Sequence, residues 1–467
     1  MKICSLYGVG YYYIPGTDTC IKIGGYVRYE AYHNETGGHY ADRIPSAGDG
    51  TFTRNASTFG MQARFRMTAD VRTQTEYGTL RSYFAFGVNA LNVGGTSGGA
   101  VATTLSMERA FIQFAGFTIG RSDTFFAFYN GAAYGLVPMF LDGSSGPAGH
   151  NVFAYTWQFG NGLSASLSLE DSGARTKPVV DLNQMDLFTT STDRAGNFVP
   201  DIVGNLRVDQ AWGSAQIMGG LSAVRANYYT NNPTASCNVP AVTGNTTDCF
   251  HPGDEWGWGV GGGLTLKMPW DAKDTLSGVI AYAKGATGLV AHANGQNFVH
   301  KGDGLGNGAL TDAVFANPGQ IKGYGGGLEL TEAWGGTVAF EHYWTPSLRT
   351  SWVFGYLSVE YTDTAKQLIA SGQCVGAGQR FKGATVTNCD PDYSLWRLAS
   401  RTMWNPVANL DIGVEVAYNK IDTAFAGSAF LNGSPTGYAP GLAPGKYSIE
   451  DQSYWSGAIR VQRSFWP

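Results

Sequence analysis

The sequence predicts an all-β protein, a transmembrane antiparallel β-barrel of sixteen strands whose third extracellular loop folds inward. Two observations lead to this fold class. Polar and apolar residues alternate over stretches of about ten residues or more, and short turns alternate with long loops along the chain. Strands of that length can cross a bilayer at a tilt, and this segregation of turns and loops is typical of outer-membrane barrels. Sixteen strands enclose an aqueous channel rather than a packed core.

The composition argues against several other classes of protein. The 467 residues carry 31 basic and 36 acidic side chains, a net charge of −5, and charged residues make up only 14% of the chain. Glycine or a polar residue interrupts every apolar run well before the roughly 20 residues that a transmembrane helix needs. The weakly acidic balance argues against nucleic acid as a partner. A hydrophobic content of 43% argues against disorder.

The alternation is clearest in three segments, residues 21–32, 61–72 and 153–170. In the second segment, Met61 and Phe65 fall on one parity, and Arg64 and Arg66 fall on the other. Such a period of two is typical of a strand with one apolar and one polar face. Both chain ends are expected on the turn side, which requires an even number of strands, so residues 329–344 are taken as a single strand.

Turns and loops are distinguished by length and composition. Tight turns are predicted near 76–78, 160–162, 212–213, 269–271, 345–347 and 405–407. Long loops are predicted near 34–55, 89–103, 122–150, 172–199, 226–254, 288–325, 362–391 and 421–449. Four tryptophans fall at the tight-turn end, where they are expected to form an aromatic girdle at one membrane interface. These residues are Trp212, Trp270, Trp344 and Trp404.

The loop at residues 122–150 differs from the others because it is largely apolar. Its only formal charges are Asp123 and Asp142, although it contains ten large apolar or aromatic residues. Leaving so much apolar surface in water is unfavourable by roughly 25 cal/mol per Å². We therefore expect the loop to fold against the inner barrel wall and narrow the pore. The alternative is that it contacts a neighbouring subunit or lipid.

The six cysteines fall as three local pairs, none with the Cys-x-x-Cys spacing of a zinc or redox site. We predict three disulfides in an oxidising compartment, against the alternative of unrelated thiols. The start at Met1 leaves no room for an export segment, so a mature or trimmed chain is expected. We therefore divide the chain into two regions. Residues 1–20 form a disulfide-closed N-terminal segment on the periplasmic side, and residues 21–467 form the barrel with its inward loop at 122–150. The predicted pairs are Cys4–Cys20, Cys237–Cys249 and Cys374–Cys389.

Arginines on the polar parity of the first two strands predict a charged constriction. Guanidinium groups remain charged, so facing the acidic residues of the inward loop across a narrow opening they would create a transverse field. The alternative is that they are ordinary solvated residues of the lumen, away from its narrowest point. The residues assigned to the constriction are Arg28, Arg64, Arg66, Arg81, Arg109, Asp123 and Asp142.

The sequence predicts no metal site, no cofactor and no enzyme activity. The seven histidines are dispersed, without carboxylates at metal-binding spacing. The G-x-G-x-x-G match at 257–262 lacks a βαβ context, and we interpret its glycines as easing strand curvature. A barrel hydrolase acting on lipids would need serine and histidine together on the outer face. His342 is the only histidine in a clearly predicted strand, and it lies beside Trp344.

Several segments together resemble the alphaproteobacterial porin family. The most specific is the N-terminal stretch from Cys4 to Cys20 with the following Lys22-Ile23-Gly24-Gly25-Tyr26-Val27-Arg28. Further similar segments are 120–126, 154–162, 341–349, 404–407 and 460–465. The resemblance spans the whole chain. It implies a homotrimer of sixteen-stranded barrels, each with its third loop inside, passing small hydrophilic solutes across the outer membrane.

The resemblance also bears on the C-terminus and on function. Family members typically end on an aromatic residue that resembles a barrel-assembly signal; here Trp466 and Pro467 follow that residue, Phe465. The predicted function is a general diffusion porin, integral to the outer membrane of a Gram-negative bacterium, with lipid and lipopolysaccharide as further partners. The alternatives are a substrate-selective porin, an adhesin or phage receptor using the disulfide-closed loops, and, least favoured, a lipid hydrolase.

Overall fold

Sixteen antiparallel strands close into one barrel in the structure, a computed structural model. The ladder between the last and first strands runs from Tyr26 opposite Ser464 to His33 opposite Gly457, and it closes the sheet. The predicted fold class is therefore confirmed. The structure describes residues 3–34, 51–52, 58–93, 102–128, 133–137, 149–183, 192–229, 250–291, 296–319, 321, 323–374, 385–431 and 445–465.

Strands that follow one another along the chain are antiparallel neighbours in the barrel. The strands are β1 (Thr19–His33), β2 (Phe59–Thr75), β3 (Gly78–Val93), β4 (Ala102–Phe114), β5 (Phe117–Ser122), β6 (His150–Gly160), β7 (Leu163–Glu170), β8 (Asp201–Gln210), β9 (Gly213–Val224), β10 (Glu255–Lys267), β11 (Thr275–Lys284), β12 (Glu332–Thr345), β13 (Leu348–Glu360), β14 (Tyr393–Trp404), β15 (Leu410–Asp422) and β16 (Gln452–Ser464). Among the described residues no helix is both long and apolar enough to cross a bilayer.

The two faces of the barrel wall follow the predicted alternation. On β2 the outward Met61 and Phe65 are 45% and 37% exposed, whereas the inward Gln62 and Arg64 are each 1% exposed. Successive side chains of a strand point to opposite faces of the sheet. Alternating apolar and polar residues therefore give the barrel an apolar exterior and a polar lumen.

One tight turn was missed by the sequence analysis. Strands β4 and β5 are joined by Ala115 and Gly116, whose φ angles are 48° and 89°. Both residues therefore adopt left-handed backbone conformations, as a two-residue hairpin turn requires. The apolar Phe114 and Phe117 on either side hide this turn in the sequence, because they continue the apolar character of the flanking strands.

Aromatic residues lie on the outer wall at both ends of the strands. The four tryptophans predicted for the turn end, at positions 212, 270, 344 and 404, are between 43% and 67% exposed. A second row near the loop end was not anticipated. It crosses seven consecutive strands, β10 to β16, and we name it the loop-end aromatic row: Trp258, Tyr282, Trp334, Tyr356, Trp396, Tyr418 and Trp455.

The described parts of the long loops pack into a cap at the other end of the barrel. Its residues Val299, Leu305, Leu310 and Val314 are completely buried. Helix α1 (Asp363–Ile369) and a π-turn (Ala370–Cys374) belong to the same loop. A three-stranded sheet comprises Val179–Asp181, Ala313–Phe315 and Glu329–Leu330. A six-stranded sheet comprises Thr51–Phe52, Gln296–Lys301, Gly304–Ala309, Thr385–Asn388, Ala426–Leu431 and Gly445–Ile449. Short 3-10 turns lie at Ser5–Tyr7, Ser172–Ala174 and Thr287–Leu289.

Two of the three predicted disulfides are confirmed. The Cα atoms of Cys4 and Cys20 are 6.1 Å apart, and those of Cys374 and Cys389 are 6.3 Å apart. The predicted Cys237–Cys249 pair lies outside the described residues. Both observed bridges close short loops, 16 and 15 residues apart in sequence, which agrees with the local pairing that the sequence suggested.

The N-terminal segment packs against the end of β1 that β16 does not reach. Its short strand, Tyr12–Tyr13, pairs with Cys20 and Ile21 of β1. The Lys22 ammonium donates to the carbonyl oxygen of Val9 at 3.2 Å. Burial, together with the neighbouring Asp70 carboxylate, raises the pKa of Tyr11 to about 12. The segment therefore adds paired and buried residues to the barrel at its turn end.

Candidate functional site

The third loop enters the barrel immediately after β5, as predicted. The carboxylate of Glu170 on β7 accepts hydrogen bonds from the Thr124 hydroxyl at 2.6 Å and from the Phe125 N–H at 2.8 Å. The side-chain amide of Asn205 on β8 donates to the Phe125 carbonyl oxygen at 2.6 Å. These contacts attach the start of the loop to the inner wall.

Aromatic residues then pack the loop against β9 and β10. Phe126 is completely buried. Phe128 lies over Gly263, where even a Cβ atom would collide with its ring. Glycines at 259 and 261 likewise face inward, against Leu289 and Met218. We interpreted the glycines at 257–262 as easing strand curvature, but the structure shows that several of them provide space for inward side chains.

The middle of the loop contacts the wall formed by β11 to β13. The Tyr134 hydroxyl is 2.6 Å from the Ser277 hydroxyl, and the Ser351 hydroxyl donates to the Tyr134 carbonyl oxygen at 2.6 Å. The Tyr134 ring packs against Ala339 and Val353. By this point the loop has followed the wall from β5 to β13.

The described tip of the loop is attached to β15 and β16. The backbone N–H groups of Leu136 and Val137 donate to the two carboxylate oxygens of Glu415, at 2.5 and 3.2 Å. The Arg460 guanidinium donates to the Leu136 carbonyl oxygen at 2.9 Å. The two aliphatic side chains pack with Tyr32, Met403 and Ala458. The described residues of the loop therefore contact the wall from β7 to β16, and its tip also reaches Tyr32 on β1.

The wall formed by β2 to β4 carries two of the predicted arginines, together with a carboxylate that was not assigned from the sequence. Glu108 on β4 forms ion pairs with both Arg64 and Arg66, the latter at 2.7 Å. Arg64 also donates to the Asn89 side-chain oxygen at 2.5 Å. Gly87 makes room for this cluster, because a Cβ atom there would meet both Arg64 and Glu108.

A second carboxylate, Glu30, organises the neighbouring part of the wall. Its Oε1 accepts a hydrogen bond from Arg460 at 2.5 Å and lies 3.6 Å from the Arg28 guanidinium. The Tyr32 hydroxyl donates to its other oxygen at 2.6 Å. Arg28 also donates to the Gln462 side chain at 2.8 Å. Arg28 is thus placed on the lumen wall, as its parity predicts, but beside a carboxylate.

Further pairs of the same kind continue around the lumen. Arg397 donates to Glu415 at 2.9 Å, and Arg401 donates to Glu341 at 2.6 Å. Arg349 lies 3.5 Å from the same Glu341. These residues were not assigned from the sequence because each arginine has its carboxylate partner on another strand, and only the register brings the opposite charges together.

Of the other predicted constriction residues, the structure brings some together and places others elsewhere in the barrel. Arg109 forms an ion pair with Asp123 of the loop, so these two residues are brought together. Arg81 pairs instead with Asp70 at 2.8 Å and stands opposite Arg72 in the ladder. Arg72 is eight residues beyond Arg64 on β2, roughly 26 Å along the strand. Asp142 lies outside the described residues.

The charge balance of the lumen differs from the expected basic wall facing a weakly acidic loop. Carboxylates on the wall itself compensate much of the positive charge. In the described network eight arginines, at positions 28, 64, 66, 109, 349, 397, 401 and 460, accompany six carboxylates, Glu30, Glu108, Asp123, Glu341, Asp411 and Glu415. Arginines exceed carboxylates by two, so the network is basic, with charges of opposite sign next to each other.

The outer face carries one histidine–carboxylate pair. His342 Nδ1 is 2.7 Å from Asp274, which lies in the turn before β11. Burial tends to raise the pKa of Asp274, but donors from Tyr343, His342 and Trp270 outweigh it and hold the pKa below its usual range. Within the described residues no hydroxyl is hydrogen-bonded to His342. The described ranges also contain no group of three or more histidine, cysteine or acidic residues placed to hold a metal.

The closed barrel, its apolar exterior and its internal loop define an integral outer-membrane β-barrel. The family model described as "Porin subfamily" matches residues 1–458, and the chain belongs to this family. The resemblance to alphaproteobacterial porins is thereby confirmed.

Individual relatives agree with this assignment. Porin Omp2b of Brucella suis biovar 1 is 32% identical over 218 residues, which cover 46% of this chain and 54% of the relative. Porin Omp2b of Brucella abortus strain 2308 is 31% identical over the same length and coverage. The chain thus spans about half the length of the curated relatives it matches. The outer membrane channel DcaP of Acinetobacter baumannii shares the fold, with a TM-score of 0.57, 14% identity, and coverage of 97% and 99% of the two chains.

Proposed function

We propose that the chain forms a passive, water-filled channel for small hydrophilic solutes and ions, that is, a general diffusion porin. The observation that carries this proposal is the inward loop, whose described residues lie along the wall from β7 to β16 of a barrel that carries charged side chains on the lumen face of β1 to β4. A polar lumen inside a sixteen-stranded barrel is favourable only if it holds water.

The constriction in this proposal lies between the loop and the β1–β4 wall. Arg28, Arg64, Arg66 and Arg109 contribute the positive side, and Asp123, with Asp142, contributes negative charge from the loop. Arg81, beside Asp70 near the turns, would act at the periplasmic mouth. The excess of arginine in the network supports a preference for small anions at the narrowest section.

The proposed assembly is a homotrimer in contact with outer-membrane lipid and lipopolysaccharide. The support is the family membership and the exposed apolar residues on the outer face of every strand region, which require lipid or a neighbouring subunit. Native mass spectrometry in detergent should give three times the monomer mass of 49.9 kDa. A folded species that is only monomeric would contradict the trimer but would have no bearing on the channel proposal.

Conductance in a planar lipid bilayer tests the channel itself. Purified, folded protein should produce stepwise current increases, grouped in threes for a trimer. In a salt gradient, the sign of the reversal potential should show a preference for anions over cations. Protein denatured by heat before addition is the control. A folded barrel that remains silent at all voltages would contradict the proposal.

A substrate-selective porin is the second candidate, favoured by the excess of arginines over carboxylates in the lumen network. It predicts that one class of small organic anion blocks the ion current at concentrations where uncharged sugars of the same size do not. Equal effects of both solutes would favour the general porin. The Asp274–His342 pair does not support a hydrolase, because the described residues provide no hydroxyl partner for the imidazole.

A further inference from the structure

A pocket of about 510 Å³ lies at the extracellular rim, where the cap meets the outer faces of β15 and β16. It is outside the lumen, so the channel does not use it. Its walls combine two aromatic rings with polar groups and one lysine. The residues that matter for its chemistry are Asn34, Thr58, Lys301, Tyr418 and Trp455.

The floor of the pocket is aromatic. Tyr418 and Trp455 face each other across β15 and β16, with ring centroids 5.2 Å apart in an edge-to-face arrangement. Trp455 is 62% exposed. These rings are the last members of the loop-end aromatic row, and such rows mark the level of lipid headgroups in outer-membrane barrels. The pocket therefore opens at the height of the outer-leaflet headgroups.

Lys301 supplies a positive charge that has no ion-pair partner among the described residues. It ends the cap strand Gln296–Lys301, its side chain is exposed, and it forms no ion pair in the part of the chain that the structure describes. Three other lysines at this end of the protein are paired. Lys284 lies 2.8 Å from Glu332, Lys366 lies 2.5 Å from Asp392, and Lys420 lies 2.5 Å from Asp422.

The opposite edge of the pocket is held in place by hydrogen bonds. The Asn34 side-chain amide donates to the Trp455 carbonyl oxygen at 2.9 Å. The Asn34 backbone N–H donates to the Thr58 carbonyl oxygen at 2.6 Å. These bonds link the end of β1 to β16 and to the residue before β2. The pocket is thus formed before a ligand arrives, which lowers the entropic cost of binding.

We propose that this pocket binds the phosphorylated sugar headgroup of an outer-leaflet glycolipid of the lipid A type. The Lys301 ammonium pairs with a phosphate, and a sugar ring lies on the aromatic floor of Tyr418 and Trp455. The fit follows from charge complementarity and from the position of the pocket, since basic pockets at a membrane interface bind anionic headgroups. The inference deepens the lipid partnership proposed above and depends on the outer-membrane placement.

Native mass spectrometry of the intact protein in detergent, titrated with bisphosphorylated lipid A, tests the proposal. We expect Lys301→Gln to weaken lipid A binding roughly tenfold, the loss typical of a hydrogen bond to a charged group. Lys301→Arg should restore binding. Lys446→Gln is the matched control, because Lys446 is an exposed lysine on the same six-stranded sheet but does not line the pocket.

Two further binding measurements identify which part of the lipid the pocket recognises. Lipid A from which the phosphates have been removed should bind wild-type protein as weakly as lipid A binds Lys301→Gln. Inorganic phosphate alone should not compete, because it lacks the sugar that contacts the rings. Equal binding of lipid A to wild type and Lys301→Gln would overturn the proposal, as would full competition by inorganic phosphate. Bilayer conductance is measured separately on both proteins, so failure of the channel proposal would be seen independently.

Discussion

Glu415 accepts the backbone N–H of Leu136 at 2.5 Å, which ties the tip of the inward loop to the barrel wall 279 residues further along the chain. The same carboxylate accepts the next N–H, from Val137, and pairs with Arg397. Glu415 is 1% exposed, so these partners replace water around a buried charge. Glu415 therefore holds the loop tip together with Arg460, which donates to the Leu136 carbonyl oxygen.

Replacing Glu415 with alanine should loosen the loop tip. Two backbone N–H groups and Arg397 lose their acceptor, and each buried donor left unsatisfied costs about 1–3 kcal/mol. We expect noisier open-channel current and closure at lower voltage in single-channel recordings. Glu341→Gln is the control, because Glu341 pairs with Arg401 on the wall without a described bond to the loop. Equal noise in the two variants would contradict the anchoring role.

Replacing Arg64 and Arg66 together with alanine should shift selectivity toward cations and raise conductance. Both arginines pair with Glu108, so their removal exposes an uncompensated carboxylate as well as removing bulk. A unit charge about 4 Å from an ion is worth between ~1 kcal/mol in water and ~4 kcal/mol at an effective dielectric of 20. The reversal potential in a salt gradient measures the shift. Arg72→Ala, near the turns, serves as the control, and an unchanged potential in the folded double mutant would place these arginines outside the constriction.

Replacing Cys374 and Cys389 with serine should destabilise the cap and leave the barrel intact. A bridge closing a loop of this length, with its cysteines 15 positions apart in the sequence, stabilises by about 3 kcal/mol. Limited proteolysis should cut residues 361–392 faster, while the barrel stays resistant. The Cys4→Ser, Cys20→Ser variant should leave this loop unaffected. Mapping of a non-reduced digest would show in the same experiment whether Cys237 pairs with Cys249 or with another cysteine.

The contribution of Asp274 to stability should depend on pH. Its pKa is lower in the folded protein than in the unfolded chain, because donors from Tyr343, His342 and Trp270 outweigh the effect of burial. Its stabilisation is therefore full above the ordinary aspartate pKa of about 4, and is lost as the pH falls through the folded pKa. Thermal unfolding followed by tryptophan fluorescence should show Asp274→Asn melting earlier than wild type at pH 7, by a margin that shrinks in acid. Asp271→Asn, an exposed residue of the same turn, should show little difference; a margin independent of pH would contradict the argument.

Phe465 is predicted to act as the assembly signal although two residues follow it. Its N–H donates to the Gly25 carbonyl oxygen at 3.1 Å, and its ring stacks on Phe65 with centroids 6.2 Å apart. Phe465→Ala should lower the yield of heat-modifiable barrel in the outer membrane. Deletion of Trp466 and Pro467 should leave that yield unchanged or higher. If the deletion lowers the yield more than Phe465→Ala does, the signal lies in Trp466 and Pro467 instead.

The sequence by itself determined the features that depend on near neighbours along the chain. A strand shows its two faces through a period of two residues, as at 61–72, and a local disulfide shows itself through short spacing, as between Cys374 and Cys389. The inward loop was predictable for a similar reason, because an apolar loop of that size is unfavourable in water wherever the rest of the chain lies.

Only the tertiary structure decided which charges meet. Arg64 and Glu108 are 44 residues apart, and Arg460 and Glu30 are 430 residues apart, so neither pair has a signature in the sequence. The cap is similar, since its six-stranded sheet joins strands at residues 51–52, 296–301, 304–309, 385–388, 426–431 and 445–449. Barrel closure fixes the register of all sixteen strands at once, and a shift of one residue would turn every lumen side chain toward the lipid. The partners of each arginine therefore follow from the closed sheet as a whole and from no single strand.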